Sequence, residues 1–221
     1  MTSEICPAIL TKDISDFRKQ YGELLPLAHH FSKLHVDFCD GRLVETETLM
    51  PADLAGVFVN SPFHLVGHFM TVNPEKYLAE AKNAGFKWVI FQYDSFSDDN
   101  EIRRVLSVAY GLGLTPGLSL NPEVPIENVR DFLPVLGIFQ LMGIHPGGQG
   151  RQFLPETLER IKKLRRMARN VIIIVDGGVR VGIARECMKA GANILVAGSA
   201  IVLSEEKEMA IEALELDLEN S

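Results

Sequence analysis

The side chains able to do chemistry in this chain stand near the ends of short apolar runs. LHVDFCDG (34–41) carries His35 and Asp37, and residues two apart on a strand point to the same side. HLVGHFM (64–70) carries His64, His68 and Met70 on one alternating face, and VIIIVD (171–176) ends in Asp176 just before Gly177 and Gly178. Burying an unpaired charge is costly, so carboxylates in such runs need a partner. Two imidazoles and two carboxylates, His35, Asp37, His68 and Asp176, suit one divalent transition metal such as Zn, Fe, Mn or Co. Singly, each has a plainer reading: a strand-end His as a hydrogen-bonded rim residue, Asp176 as the cap of the next turn. Together, four such groups near one end of three strands point to a site. His64 sits four residues before His68, toward the opposite strand end, and reads as structural. His29 and His30 close a helix, where imidazole suits the last turn.

A second group is built on glycine. HPGGQGRQF follows one apolar run, DGGV the next and AGSAI the last. Glycine lets backbone N–H groups approach an anion closely. Three successive strand ends of this kind, with Gly147, Gly148, Gly150, Gly177, Gly178, Gly198 and Ser199, predict a phosphate site. The expected ligand is a phosphorylated small molecule, its phosphate some distance from the metal and carboxylates.

The elements that must position these groups alternate. Strands are expected at 5–10, 33–38, 64–70, 87–93, 114–120, 137–144, 171–176 and 192–198. Helical patterns are expected at 13–30, 74–84, 98–112, 125–136, 155–168, 181–190 and 205–218, with only a short one, PADLAGVF, in the segment 46–60. Several open with Pro or Asp and stop at Gly85, Gly113, Gly137 or Gly191, as helix ends do. Strands alternating with helices imply right-handed parallel crossovers. Eight units of about 25–30 residues are the arithmetic of a (β/α)₈ TIM barrel as a single domain over 1–221. An open doubly wound sheet has the same alternation. The spread of polar residues over several strand ends favours the barrel, since an open sheet concentrates them at one switch point.

The bulk composition narrows the function classes. With 221 residues, 47% of them hydrophobic, the chain can bury a sizeable core. No apolar run of about 18 residues appears, which predicts no membrane span. The N-terminus lacks a basic stretch followed by an apolar one, which argues against a secretory signal. Cys6, Cys39 and Cys187 are few, odd in number and widely spaced, so reduced thiols in a cytoplasmic protein are expected. A net charge of −7 disfavours nucleic acid as a partner. It is compatible with a small anion held by local geometry. Whether the barrel forms a homo-oligomer is not legible in the pattern.

In these same residues the sequence resembles the ribulose-phosphate 3-epimerase family. The likeness runs through CPAILTKD, LHVDFCDG, GHFMTVNPEKY, GLSLNPEVPIE, LMGIHPGGQGRQFLPETLERIKKLR, VDGGV and VAGSAI, in order and over nearly the whole chain. The family fold is a (β/α)₈ barrel, which agrees with the count above. The resemblance implies that His35, Asp37, His68 and Asp176 ligate the metal. It further implies that Asp37 and Asp176 are an acid/base pair working from opposite faces of a ketose phosphate at C3. His68 would also lie against substrate, and Met70 and Met142 would shield the intermediate, with Cys39 in place of a third methionine.

Departures from the family pattern gather around the substrate. Ala8 stands where a substrate-contacting serine is usual, and DGRLVET changes the mouth at Arg42, Glu45 and Thr46. GGQGR (147–151) alters the phosphate loop, with Gln149 replacing a glycine, and Gln92 stands where a histidine is common. The leading reading is a metal-dependent epimerase of a phosphorylated ketose, D-ribulose 5-phosphate by default. A six-carbon ketose 6-phosphate such as allulose 6-phosphate, or a non-catalytic sugar-phosphate binder, are the alternatives. A metal-free decarboxylase would carry Asp-x-Lys-x-x-Asp on the second strand, and DFCDGR lacks the lysine.

Overall fold

A computed structural model describes residues 3–145 and 150–219. Its eight parallel strands close into a barrel in the order β1 to β8. The strands are β1 (Glu4–Ile9), β2 (Lys33–Cys39), β3 (His64–Met70), β4 (Trp88–Gln92), β5 (Thr115–Leu120), β6 (Ile138–Met142), β7 (Ile172–Asp176) and β8 (Ile194–Ala197). Helices α1 (Ile14–Leu24), α2 (Leu78–Ala84), α3 (Asp99–Gly111), α4 (Thr157–Met167), α5 (Ile183–Ala190), α6 (Ser199–Val202) and α7 (Lys207–Glu219) lie between and after them. The closed ring excludes the open-sheet alternative. The described residues divide into two compact units, one within 9–118 and the other within 3–8 and 119–219.

In the first unit, β2 and β3 pair in full register, His35 opposite Val66, Asp37 opposite His68 and Cys39 opposite Met70. Alternation sends the polar series 35–37–39 to one side and Leu34, Val36 and Phe38 to the other. On that second side Phe38 packs against Phe69 and Phe86, at centroid distances of 4.9 and 5.2 Å. Phe86 meets Phe58 at 5.6 Å, and Phe58 meets Phe17 of α1 at 5.7 Å. Aromatic pairs at these centroid distances add to the burial of their area. This layer holds the strands' outer faces, so the inner faces are free to carry polar side chains. α1 begins because Asp13 accepts from the Asp16 N–H, and α3 because Asp98 accepts from Asn100 and Glu101.

In the second unit β6, β7, β8 and β1 are consecutive neighbours. Arg165 of α4 donates to the carbonyls of Gly191 and Val171 and to Asn193 Oδ1, at 2.8, 2.8 and 2.5 Å. One guanidinium thus satisfies carbonyls left over where α5 ends and β7 begins. α7 is fastened through Asp217, whose Oδ2 accepts from the N–H groups of Gly182 (2.6 Å) and Arg185 (3.1 Å) at the start of α5.

Four helical expectations change form, the pattern 74–84 opening as a 3₁₀ stretch, Pro74–Tyr77, before α2. The segment 125–136 is a 3₁₀ stretch, Ile126–Phe132, rather than an α-helix; Pro134 has no N–H to give the carbonyl four residues back. PADLAGVF shortens to one turn, Pro51–Leu54, because Gly56 takes φ +75°. The long pattern 13–30 stops at Leu24 and continues as a 3₁₀ turn, Leu25–Leu27, around Pro26. β3 has the expected bounds, and those of the other strands differ from expectation by at most two residues.

Candidate active site

Asp37 is the hub in the Ile9–Leu118 unit. Its Oδ1 lies 3.0 Å from His68 Nδ1 and 3.5 Å from His35 Nδ1. The two rings are 5.5 Å apart at their centroids. His35, Asp37 and His68 are 1%, 7% and 0% exposed. On its other side His68 Nε2 lies 3.0 Å from Gln92 Oε1 at the end of β4. With Gln92 Oε1 as the acceptor, Nε2 is the nitrogen that donates, and in a neutral ring the Nδ1 lone pair then faces Asp37. A neutral ring satisfies one of these two contacts, not both. A cation held by Nδ1 and Oδ1 satisfies both at once, and two imidazole nitrogens converging on one carboxylate oxygen are a donor set that suits one.

The backbone around Asp37 is fixed from the loop that follows. Thr48 Oγ1 accepts from the Cys39 N–H and donates to the Asp37 carbonyl, both at 2.9 Å. Asp40 accepts from the Val72 N–H (3.0 Å) and the Arg42 N–H (3.2 Å).

Asp176 closes β7 in the other unit, opposite Met142 in register, and is buried. Its Oδ2 accepts from Gln140 Nε2 at 3.0 Å, and its carbonyl accepts from the Gly143 N–H at 2.7 Å. Gly177 and Gly178 follow with φ of +100° and +72°. A Cβ at Gly178 would come within 2.8 Å of Phe153 Cα, and one at Gly143 within 2.4 Å of the Gly177 carbonyl oxygen. The two loops touch backbone to backbone, which only glycine permits. Gly150 sits in a turn at φ +77°, and Gly198 leads into the short helix α6 at Ser199. Gly147 and Gly148 lie outside the described residues. His35, Asp37 and His68 form a buried His/Asp cluster of one unit that suits a metal, and Asp176 is a buried carboxylate of the other.

The sequence and fold were compared with known proteins. The model of the ribulose-phosphate 3 epimerase family matches residues 4–202. The chain belongs to that family. A ribulose-phosphate 3-epimerase of Synechocystis is 32% identical over 203 residues, covering 89% of this chain and 86% of its own. That of Helicobacter pylori is 31% identical over 218 residues, 96% of each chain, and that of Schizosaccharomyces pombe 28% over 215 residues, covering 96% and 92%. Among solved structures, a mutant tryptophan synthase α-subunit of Pyrococcus furiosus superposes with a TM-score of 0.72 at 18% identity, covering all of both chains. A 3-hexulose-6-phosphate synthase does so at 0.71 and 19%, over 97% and 99%. At such identity these two show the fold alone.

Membership of the ribulose-phosphate 3-epimerase family makes the chain an epimerase-type isomerase. The six-carbon and non-catalytic alternatives gain no support from these relatives. Sequence reasoning passed over Gln140 and treated Gln92 only as a departure, although each touches a predicted site residue. The signal was there: a lone carboxamide inside the apolar run GIFQLMGI, two residues before Met142. His64 stacks edge-on with Trp88 at 5.0 Å, in keeping with a structural role. Cys6, Cys39 and Cys187 are buried, and among the described residues none is joined in a disulfide. Among the described residues no helix is long and apolar enough to cross a membrane.

Proposed function

We propose that this protein is a metal-dependent epimerase that inverts C3 of a ketose phosphate, interconverting D-ribulose 5-phosphate and D-xylulose 5-phosphate, as a single barrel domain over 1–221. The observation that carries the reading is the buried cluster His35, Asp37 and His68 in a chain of this family. These three and Asp176 would hold one divalent ion of the Zn, Fe, Mn or Co type. When bound, the ion supplies positive charge against the negative charge that develops on the substrate oxygens.

The chain's own residues divide the rest. One of Asp37 and Asp176, ionised, takes the proton from C3; the C3–H pair becomes the second C2–C3 bond and the carbonyl π pair moves onto the C2 oxygen, giving an enediolate. The other, protonated, returns a proton to C3 from the opposite face. Two carriers are what inversion requires, since a single base would return its proton to the side it came from. Gly147, Gly148, Gly150, Gly177, Gly178, Gly198 and Ser199 offer backbone N–H groups and a hydroxyl to the phosphate. Cys39, Met70 and Met142 exclude water from the reacting carbon, and His68 lies against substrate. A rice relative is named as a cytoplasmic isoform, in line with the same location for this chain.

The test is incubation of the purified protein with ribulose 5-phosphate and each divalent metal in deuterated water. Xylulose 5-phosphate carrying deuterium at C3 is the expected product. No turnover and no C3 exchange with any metal would refute the reading.

A further inference from the structure

We infer that Gln140 is a positioning residue for Asp176, holding one carboxylate oxygen and so fixing the plane of the group that would ligate metal and carry the proton. The inference rests on the epimerase reading for its kinetic consequence, while its effect on metal binding stands apart from turnover.

Gln140 is wholly buried in the middle of β6. Its chain neighbours Phe139 and Leu141 are both 0% exposed. A carboxamide in such a place costs a few kcal/mol unless it is hydrogen-bonded. Packing alone would be served by leucine or methionine, so the amide is there for what it donates to. Nε2 lies 3.0 Å from Asp176 Oδ2 and 3.6 Å from Met142 Sδ. The β6–β7 register puts Gln140 opposite Ile174 and Met142 opposite Asp176. The amide therefore reaches one side-chain layer forward along the pair of strands, toward their C-terminal ends.

This contact fixes what the backbone alone leaves open. The Gly143 N–H and the β7 ladder hold the Asp176 main chain, but a carboxylate at a strand end can still turn about two side-chain bonds. A hydrogen bond to an ionised oxygen is about twice as strong as a neutral one. With Oδ2 so engaged, the turning of the carboxylate about its side-chain bonds is restricted and its plane is set. Supporting contacts of this kind are worth about 10–100-fold in metal affinity or activity.

Gln140→Met keeps the length and apolar packing of the side chain and removes the donor; Gln140→Leu is the second variant. Titration with Co²⁺ alone should give a Kd weakened about tenfold in both. In turnover, kcat should fall about 10–100-fold with KM changed less than about threefold. The decisive readout is the C3-deuterium isotope effect measured from each epimer. Slowing only the Asp176 step raises the effect for the epimer whose proton Asp176 takes and lowers it toward unity for the other. A general loosening of the barrel would move both alike. A Co²⁺ Kd within about twofold of the parent protein, or isotope effects that change equally in the two directions, overturns the inference. A parent protein that binds Co²⁺ but epimerises nothing would sink the epimerase reading instead, and the Kd comparison would still decide on Gln140.

Discussion

Replacing Gln92 with leucine tests the logic of the His68 contacts. At present Gln92 Oε1 sits 3.0 Å from His68 Nε2, and Asp37 Oδ1 sits 3.0 Å from Nδ1. Removing the amide oxygen frees the ring to carry its proton on Nδ1 and donate it to Asp37. That tautomer satisfies the protein and is the wrong one for a ligand. A buried hydrogen bond is worth about 0.5–1.5 kcal/mol, and outer contacts to a ligating histidine are worth about tenfold or more in affinity. A tenfold weaker Kd is about 1.4 kcal/mol, and with metal in excess the stabilisation it confers falls by that same amount. For a chain of this size each kcal/mol moves Tm by about 2–4 °C. The rise in Tm on adding Co²⁺ or Mn²⁺ to chelator-treated protein should therefore be smaller in Gln92→Leu by about 3–6 °C. The metal-free Tm should hardly change, because the freed ring gains Asp37 as an acceptor. An undiminished metal-induced rise, or a metal-free Tm that collapses, would show that Gln92 does not choose the tautomer.

Asp176→Asn should lose most turnover and bind metal more weakly; near-normal activity would remove both roles from Asp176. Asp217→Ala strips the start of α5 of the carboxylate that accepts from Gly182 and Arg185, at a cost of about 1–2 kcal/mol. Its Tm should drop by about 2–8 °C with kcat per folded molecule unchanged, and an unaltered Tm would refute the capping role. Burial, and secondarily the nearby Glu186 charge, pushes the Cys187 thiol up to about 12. The folded protein therefore keeps this proton while the unfolded chain loses it above about pH 9. The stabilisation is complete below that point and is lost as pH rises toward 12, at about 1.4 kcal/mol per pH unit. Urea unfolding at pH 8 and pH 10 should show the parent losing more stability than Cys187→Ala between the two. Parallel losses would contradict the buried thiol.

Legibility followed the range of the interaction. β3 was readable at its observed bounds, His64–Met70, because a strand's two faces are written every second residue. The pairing of His35 with Asp37, and of His68 with Met70, is the same local arithmetic. Whether a helical segment closes through i+4 or i+3 bonds is decided by single prolines and glycines such as Pro134 and Gly56, and periodicity does not weigh those. Least legible were contacts between strands or helices. Gln140 and Asp176 are 36 positions apart, and alternation gives the face a residue shares, not the level at which its neighbour ends. Asp217 shows what a finer reading could use. It falls on the spacing of Ile211 and Leu214, the buried face of α7, and an acid on that stripe has to be answered by a donor elsewhere.

The same geometry says where side chains can change without moving the end of β2. The departures Arg42, Glu45 and Thr46 lie in a loop whose two ends are bolted down. Thr48 ties the loop's return to the Asp37 carbonyl and the Cys39 N–H, Asp40 binds the Val72 and Arg42 amides, and the Gly41 N–H donates to the Thr46 carbonyl at 3.2 Å. Between these anchors Arg42 and Glu45 are exposed. Their side chains can be exchanged without moving the end of β2. Asp37 is insulated from the loop that follows it by only a few residues, because Thr48 and Asp40 hold the main chain and the loop tip supplies the variable chemistry. Substitutions at Arg42 or Glu45 should then alter KM among sugar phosphates and leave kcat on the best substrate near its parent value. Substitution at Thr48, which touches the Asp37 carbonyl directly, should lower kcat for every substrate alike.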